Sequence, residues 1–407
     1  MAQFTDAPIF DADQHMYETP EALTRYLPEK YRRSVQFVQV GKRTRIAILG
    51  KITEYIPNPT FERVAAPGAH EKFFSGQNKE GKTLRELTGD PIEALPAFRG
   101  PESRIAMMDE QGVDEALVYP TLANLVEHSA AEDPELVVAI IHALNRWMLE
   151  TWGYTHQNRL YMTPVISAAL VDDARRELEY VLENGVKAVL MKPAPVKGLK
   201  GWRSPALPEF DPFWSDVQQA GIPVVFHASQ PPLDGYINQW EPPETNNFME
   251  MSAFRWLVLG HREISDMLAS LICHGTLTRF PNLRIGSVEN GSAWIKPLFD
   301  DFEATYAKMP QAFPEHPLEV FRRNVWVSPF WEGSVADIVK TVGWDRVLFG
   351  SDYPHPEGLT EPRGYFKYAE GMDERRTRDF MGDNARRFIG IPVRNPAGDV
   401  APEPVLA

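Results

Sequence analysis

Two segments of this chain run from a short apolar stretch straight into side chains that can ligate a metal, and they stand at opposite ends of it. The first is Phe10-Asp11-Ala12-Asp13-Gln14-His15; the second is Leu348-Phe349-Gly350-Ser351-Asp352-Tyr353-Pro354-His355-Pro356-Glu357-Gly358. Few folds bring the first and last strands of so long a chain together. A closed barrel of parallel strands does so by construction, and its functional residues gather at the carboxyl ends of those strands. The two segments therefore constrain fold and chemistry at once.

The sequence between them alternates accordingly. Beyond residue 100, short β-like runs at 116–120, 160–165, 188–193, 223–227, 283–289, 325–328 and 347–352 alternate with helical stretches. Helices are expected over 103–111, 134–151, 172–184, 213–220, 263–277 and 293–308, with Gly112, Gly185 and Gly221 as stops. With Ile9 to His15 as the first strand there are eight β-like runs. That predicts an α/β chain folded as a distorted (β/α)8 TIM barrel over residues 1–393. Residues 38–95 break the repeat and read as a subdomain inserted after the first strand, on the active-site side. Residues 394–407 form a Pro-rich tail, expected as an arm that packs on a neighbouring subunit.

Composition narrows the function. A net charge of −14 argues against a nucleic-acid partner. No apolar run reaches the roughly 20 residues needed to span a bilayer, and the first residues carry no secretory pattern. The expectation is a cytoplasmic enzyme without a membrane partner, acting on a small molecule, with a homodimer as the commonest assembly. The single Cys273 excludes a thiolate cage, so any metal is held by imidazole and carboxylate.

Residues i and i+2 of a strand point to the same side, so Asp13 and His15 project together. His227 ends the fifth strand, Glu289 the sixth and Asp352 the eighth. Five such groups at one face form a candidate site for Zn, Mn or Fe, with room for two ions. Asp352 could also accept a proton from metal-bound water, and Glu289 is a candidate catalytic group or further ligand. His355 is a candidate catalytic or substrate-orienting group, and Lys192 a candidate for a substrate carboxylate. Glu18 is a weaker candidate of the same kind, His261 a substrate contact, and His274 structural.

At this point the chain resembles the amidohydrolase-related family of metal-dependent TIM-barrel enzymes, which includes aminocarboxymuconate-semialdehyde decarboxylase and γ-resorcylate decarboxylase. The resemblance rests on Asp11-Ala12-Asp13-Gln14-His15, Phe226-His227, Arg279-Phe280-Pro281-Asn282-Leu283-Arg284, Phe349-Gly350-Ser351-Asp352-Tyr353-Pro354 and Asn384-Ala385-Arg386-Arg387-Phe388, in family order. It implies metal ligation by His15, His227 and Asp352, with Asp13 where the family commonly has a first His. Glu289 stands where the decarboxylases have a catalytic His. The resemblance thus implies metal-dependent hydrolysis or non-oxidative decarboxylation of a small carboxylate-bearing molecule. The carboxylate-rich ligand set keeps open a dinuclear non-haem iron or manganese oxygenase on the same barrel.

Overall fold

Strand β1 (Phe10–Met16) is buried along its whole length. So are β2 (Glu115–Pro120), β3 (Leu160–Met162), β4 (Val189–Met191), β5 (Val224–His227), β6 (Ile285–Val288) and β7 (Val325–Val327). Burial on both faces is why β3 to β7 read as largely apolar runs rather than alternating ones, whereas β1 buries Asp11, Asp13, Gln14 and His15. The computed structural model describes residues 6–243, 248–331 and 335–394, without the side chains of Phe248 and His261.

Parallel pairing runs β1–β2–β3 and β4–β5–β6–β7. Isolated parallel bridges join the remaining gaps: Val165 to Leu190, Val327 to Val347, and Gln14 to Tyr353. The circle is thereby closed into an α/β barrel. The sequence predicts a continuous eighth strand over 347–352, whereas the structure has bridges only. Two local constraints explain the difference. Gly350 passes so close to β1 that a Cβ there would lie 2.7 Å from the Asp13 Cβ. Asp352 takes a left-handed φ of 57°, which no regular strand accommodates. Closure still holds through Ala12 N–H to Phe349 O at 2.8 Å, Asp352 N–H to Asp13 O at 2.7 Å and His15 N–H to Tyr353 O at 2.7 Å.

Helices α1 (Pro101–Gln111), α2 (Pro134–Trp152), α3 (Val171–Glu183), α4 (Asp211–Ala220), α5 (Ala253–Cys273) and α6 (Ile295–Lys308) fall between the strands. Most match the expected spans. Helix α5 begins ten residues before the expected Glu263, because the Ser252 hydroxyl caps it by accepting from the Arg255 N–H at 3.0 Å.

The inserted segment forms an antiparallel meander, Val35–Val40, Arg43–Ile48 and Lys51–Thr53, followed by two short helices, Glu71–Phe74 and Leu84–Thr88. Two contacts tie it to the carboxyl-end face. His70 N–H donates to Pro356 O at 2.7 Å, and Phe74 meets Phe330 with ring centroids 5.7 Å apart. At the other end, Arg394 pairs with Asp114 at 2.6 Å and Glu115 at 2.8 Å; the rest of the expected arm lies outside the described residues. Among the described residues, no helix is long and apolar enough to cross a membrane.

Candidate metal centre

The alternation of β1 carries Asp13 and His15 to the same side, and both are buried. His227 is the last residue of β5, Glu289 follows β6, and Asp352 and His355 lie on either side of the closing bridge at Tyr353. These six side chains meet. Nε2 of His15 lies 3.0 Å from Nε2 of His227, 3.5 Å from Asp13 Oδ1, 3.4 Å from Asp352 Oδ1 and 3.8 Å from Glu289 Oε2. Nε2 of His227 lies 3.4 Å from Asp13 Oδ1 and 3.1 Å from Glu289 Oε2. Two overlapping groups, Asp13–His15–His227–Glu289 and His15–Glu289–Asp352–His355, each gather their donor atoms within 4.8 Å.

The donors fit a divalent cation. Ligand atoms about 2.0–2.2 Å from a shared centre are themselves roughly 3.0–3.6 Å apart, a range that holds the His15 Nε2 distances to His227, Asp13 and Asp352 but not the 3.8 Å to Glu289. His227 Nδ1 lies 2.8 Å from the Ala228 carbonyl oxygen. Donation of its proton there leaves Nε2 to face the cluster as a lone pair, the usual arrangement of a ligating imidazole. Among the described residues, Asp352 Oδ2 and His15 Nδ1 are buried without a hydrogen-bond partner.

Electrostatics agree. Burial raises the Glu289 carboxyl, with His227 acting against it, and raises Asp352 further with the help of the Glu289 and Glu357 charges. Burial disfavours the His227 imidazolium, yet the Glu289 and Asp13 carboxylates outweigh it and lift the group to about 10. Burial and the His227 charge push His15 well down. So many acids around two imidazoles retain protons unless a cation replaces them.

His355 stacks on His15 with centroids 3.9 Å apart. Its Nδ1 lies 2.8 Å from Asp352 Oδ1 and its Nε2 3.1 Å from the Thr121 hydroxyl. The other candidates separate from the cluster. Glu18 is buried and accepts from the Leu122 N–H at 2.8 Å, which makes it a loop brace. Lys192 does not line the large cavity described next; it lies in a smaller recess that His227 also lines, where burial disfavours its ammonium and Glu263 and Glu127 act in its favour. His274 Nδ1 lies 2.9 Å from the Ser270 carbonyl oxygen at the end of α5, a structural role as expected. The His261 side chain lies outside the described residues.

Four contributors were not singled out from sequence. Asp11 accepts from Ser351 N–H at 2.9 Å, Ser351 Oγ–H at 2.5 Å and Gln14 Nε2–H at 3.0 Å, pinning β1 to the closing segment. Arg104 donates to the His15 carbonyl at 2.6 Å and to Gln14 Oε1 at 3.0 Å. Glu357 is held up to about 8 by burial and the nearby Glu289 charge. Tyr55 comes from the inserted segment. Glu357 and Tyr55, with Glu289 and His355, line a cavity of about 350 Å³ whose remaining wall includes Tyr17 and Phe61.

Known proteins share this fold. The sequence model of the amidohydrolase family matches residues 12–391. The crystal structure of an amidohydrolase from Mycobacterium avium subsp. paratuberculosis K-10 superposes with a TM-score of 0.89 at 35% identity, covering 95% of this chain and 100% of that one. A γ-resorcylate decarboxylase of Rhizobium sp. (strain MTP-10005) is 25% identical over 196 residues, 46% of this chain and 55% of the relative. The chain spans about half the length of the curated relatives it matches. A dihydroxybenzoic acid decarboxylase of Polaromonas sp. JS666, solved with bound manganese and the inhibitor 2-nitroresorcinol, shares the fold. It has a TM-score of 0.54 at 18% identity, over 81% of this chain and 95% of that one. From the barrel, the imidazole–carboxylate cluster at its carboxyl-end mouth and the match over 12–391, the chain belongs to the amidohydrolase family of enzymes.

Proposed function

We propose that this enzyme is a metal-dependent, non-oxidative decarboxylase of small aromatic carboxylates. One observation carries the reading: the imidazole–carboxylate cluster opens, through Glu289 and His355, into an aromatic-walled cavity of about 350 Å³. Pockets of this size suit a small organic ligand. The decarboxylases among the relatives supply the reaction class, and nothing among them supports the oxygenase alternative.

Asp13, His15, His227 and Asp352 would hold a divalent cation, with His15 common to both overlapping groups of donors. Two imidazoles and two carboxylates suit Mn²⁺ or Zn²⁺, and the manganese bound in the dihydroxybenzoic acid decarboxylase favours Mn²⁺. Bound there, the cation supplies Lewis acidity toward a substrate carboxylate oxygen. Tyr17 and Phe61, stacked with centroids 4.6 Å apart, hold the ring against the wall. Glu289 replaces the expected histidine and carries the proton on its carboxyl group. The C–C bond to the carboxylate breaks, carbon dioxide departs, and the electron pair left on carbon takes that proton. His355, braced by Thr121, orients the substrate.

The test is reconstitution with Mn²⁺ and assay of 2,6-dihydroxybenzoate and simpler aryl carboxylates. Carbon dioxide should appear in step with loss of carboxylate and without oxygen uptake. Glu289→Gln should keep its metal and lose about 10²–10⁴-fold in kcat. His227→Ala should lose metal affinity by about 100-fold or more. Stoichiometric metal retained in His227→Ala, or oxygen consumption by the wild type, would overturn the proposal.

A further inference from the structure

The cavity beside the metal cluster has an unusual balance of charge. Its walls are mainly apolar and aromatic, with Tyr17, Tyr55, Ile56 and Phe61 prominent. The ionisable groups nearest the cluster, Glu289 and Glu357, are both acids. Among the described lining residues, Arg63 is the single guanidinium or ammonium. It is exposed, and its Nη2 donates to the Pro91 carbonyl. Lys192 does not line this cavity; it lies in a smaller recess that His227 lines, near Glu263 and Glu127.

An anionic group that enters such a cavity away from the cation loses its water and finds no buried cation in return, which is costly. Glu289 and Glu357 on the same wall offer it no positive charge. We infer that the cavity accepts aromatic monocarboxylates and rejects those with a second anionic group. This inference rests on the proposed decarboxylase reading for the position of the first carboxylate. It goes further by dividing aromatic carboxylates according to charge, and it assigns that selection to the walls contributed by the inserted segment and by Glu357.

A matched set of ligands tests it by binding alone, on the full chain loaded with Mn²⁺. Salicylate carries one carboxylate. 5-Carbamoylsalicylate adds a neutral amide, and 4-hydroxyisophthalate places a carboxylate at the same ring position. Isothermal titration should show salicylate and the amide binding within a few-fold of each other, and the dianion about 10-fold or more weaker. Ile56→Lys, which brings an ammonium into the wall, should narrow that gap. Equal or tighter binding of the dianion in the wild type, or failure of all three ligands to bind, would sink the charge rule. The wild-type comparison decides even where the variant fails to fold. Ligands that bind in the expected order without releasing carbon dioxide would defeat the decarboxylase reading while supporting the selection rule. Carbon dioxide release together with preference for the dianion would do the reverse.

Discussion

His227 has its Nδ1 within 2.8 Å of the Ala228 carbonyl oxygen, and the opposite nitrogen is left to choose between a proton and a cation. The Glu289 and Asp13 carboxylates lift the imidazole to about 10 despite its burial, so the metal-free ring is protonated through the neutral range. Metal must displace that proton. Lower pH therefore favours the proton and higher pH the cation. Between pH 6 and 8, apparent Mn²⁺ affinity should rise about tenfold per pH unit for each proton released. Titration calorimetry in buffers of different ionisation enthalpy checks this, and a pH-independent affinity would remove the argument. At this scale the sequence was informative wherever a side chain ended an apolar run, as at His15 and His227. Glu357 escaped notice because it enters from a loop with no periodicity. For Lys192, strand position shows where the residue lies but not that Glu263 and Glu127 surround it.

Strand ends do more than carry ligands. Glu289 and Asp352 both take left-handed backbone conformations, at φ 55° and 57°. For non-glycine residues such a conformation costs about 1–2 kcal/mol. Two acids at the metal cluster share this cost, which fits strain held at a functional site. Gly350 is the counterpart on the closing segment. A Cβ there would lie 2.6 Å from Ser328 Oγ and 2.7 Å from Asp13 Cβ. Gly350→Ala should destabilise the fold by about 1–3 kcal/mol and weaken Mn²⁺ binding by about tenfold, because Asp13 must move. Urea unfolding and metal titration measure the two effects, and unchanged metal affinity would show that Asp13 does not set the site. The parallel strands were legible because they are short apolar runs between helices. The eighth was overread as a regular strand because its residues are equally apolar, while the distortion comes from contact with β1. The start of α5 was missed because its cap, Ser252, precedes a run of mixed aromatic and aliphatic residues.

Across the whole molecule, the barrel closes where Asp11 accepts from Ser351, a residue 340 positions away. A chain truncated after residue 345 would lose Asp352, His355 and every closing bond. It should bind no Mn²⁺ and show no cooperative thermal transition; a sharp transition in calorimetry would contradict this account. Fold class was readable at this scale because the repeat is long and regular. The arrangement of the mouth was not, since the inserted segment has no period to match the barrel. The late closure also bears on synthesis. At about 5–20 residues per second, a ribosome needs roughly 20–70 s to pass from Asp11 to Ser351. For that interval the nascent first strand has no final partner on one edge, and the metal cannot find its full set of ligands until Asp352 has been made.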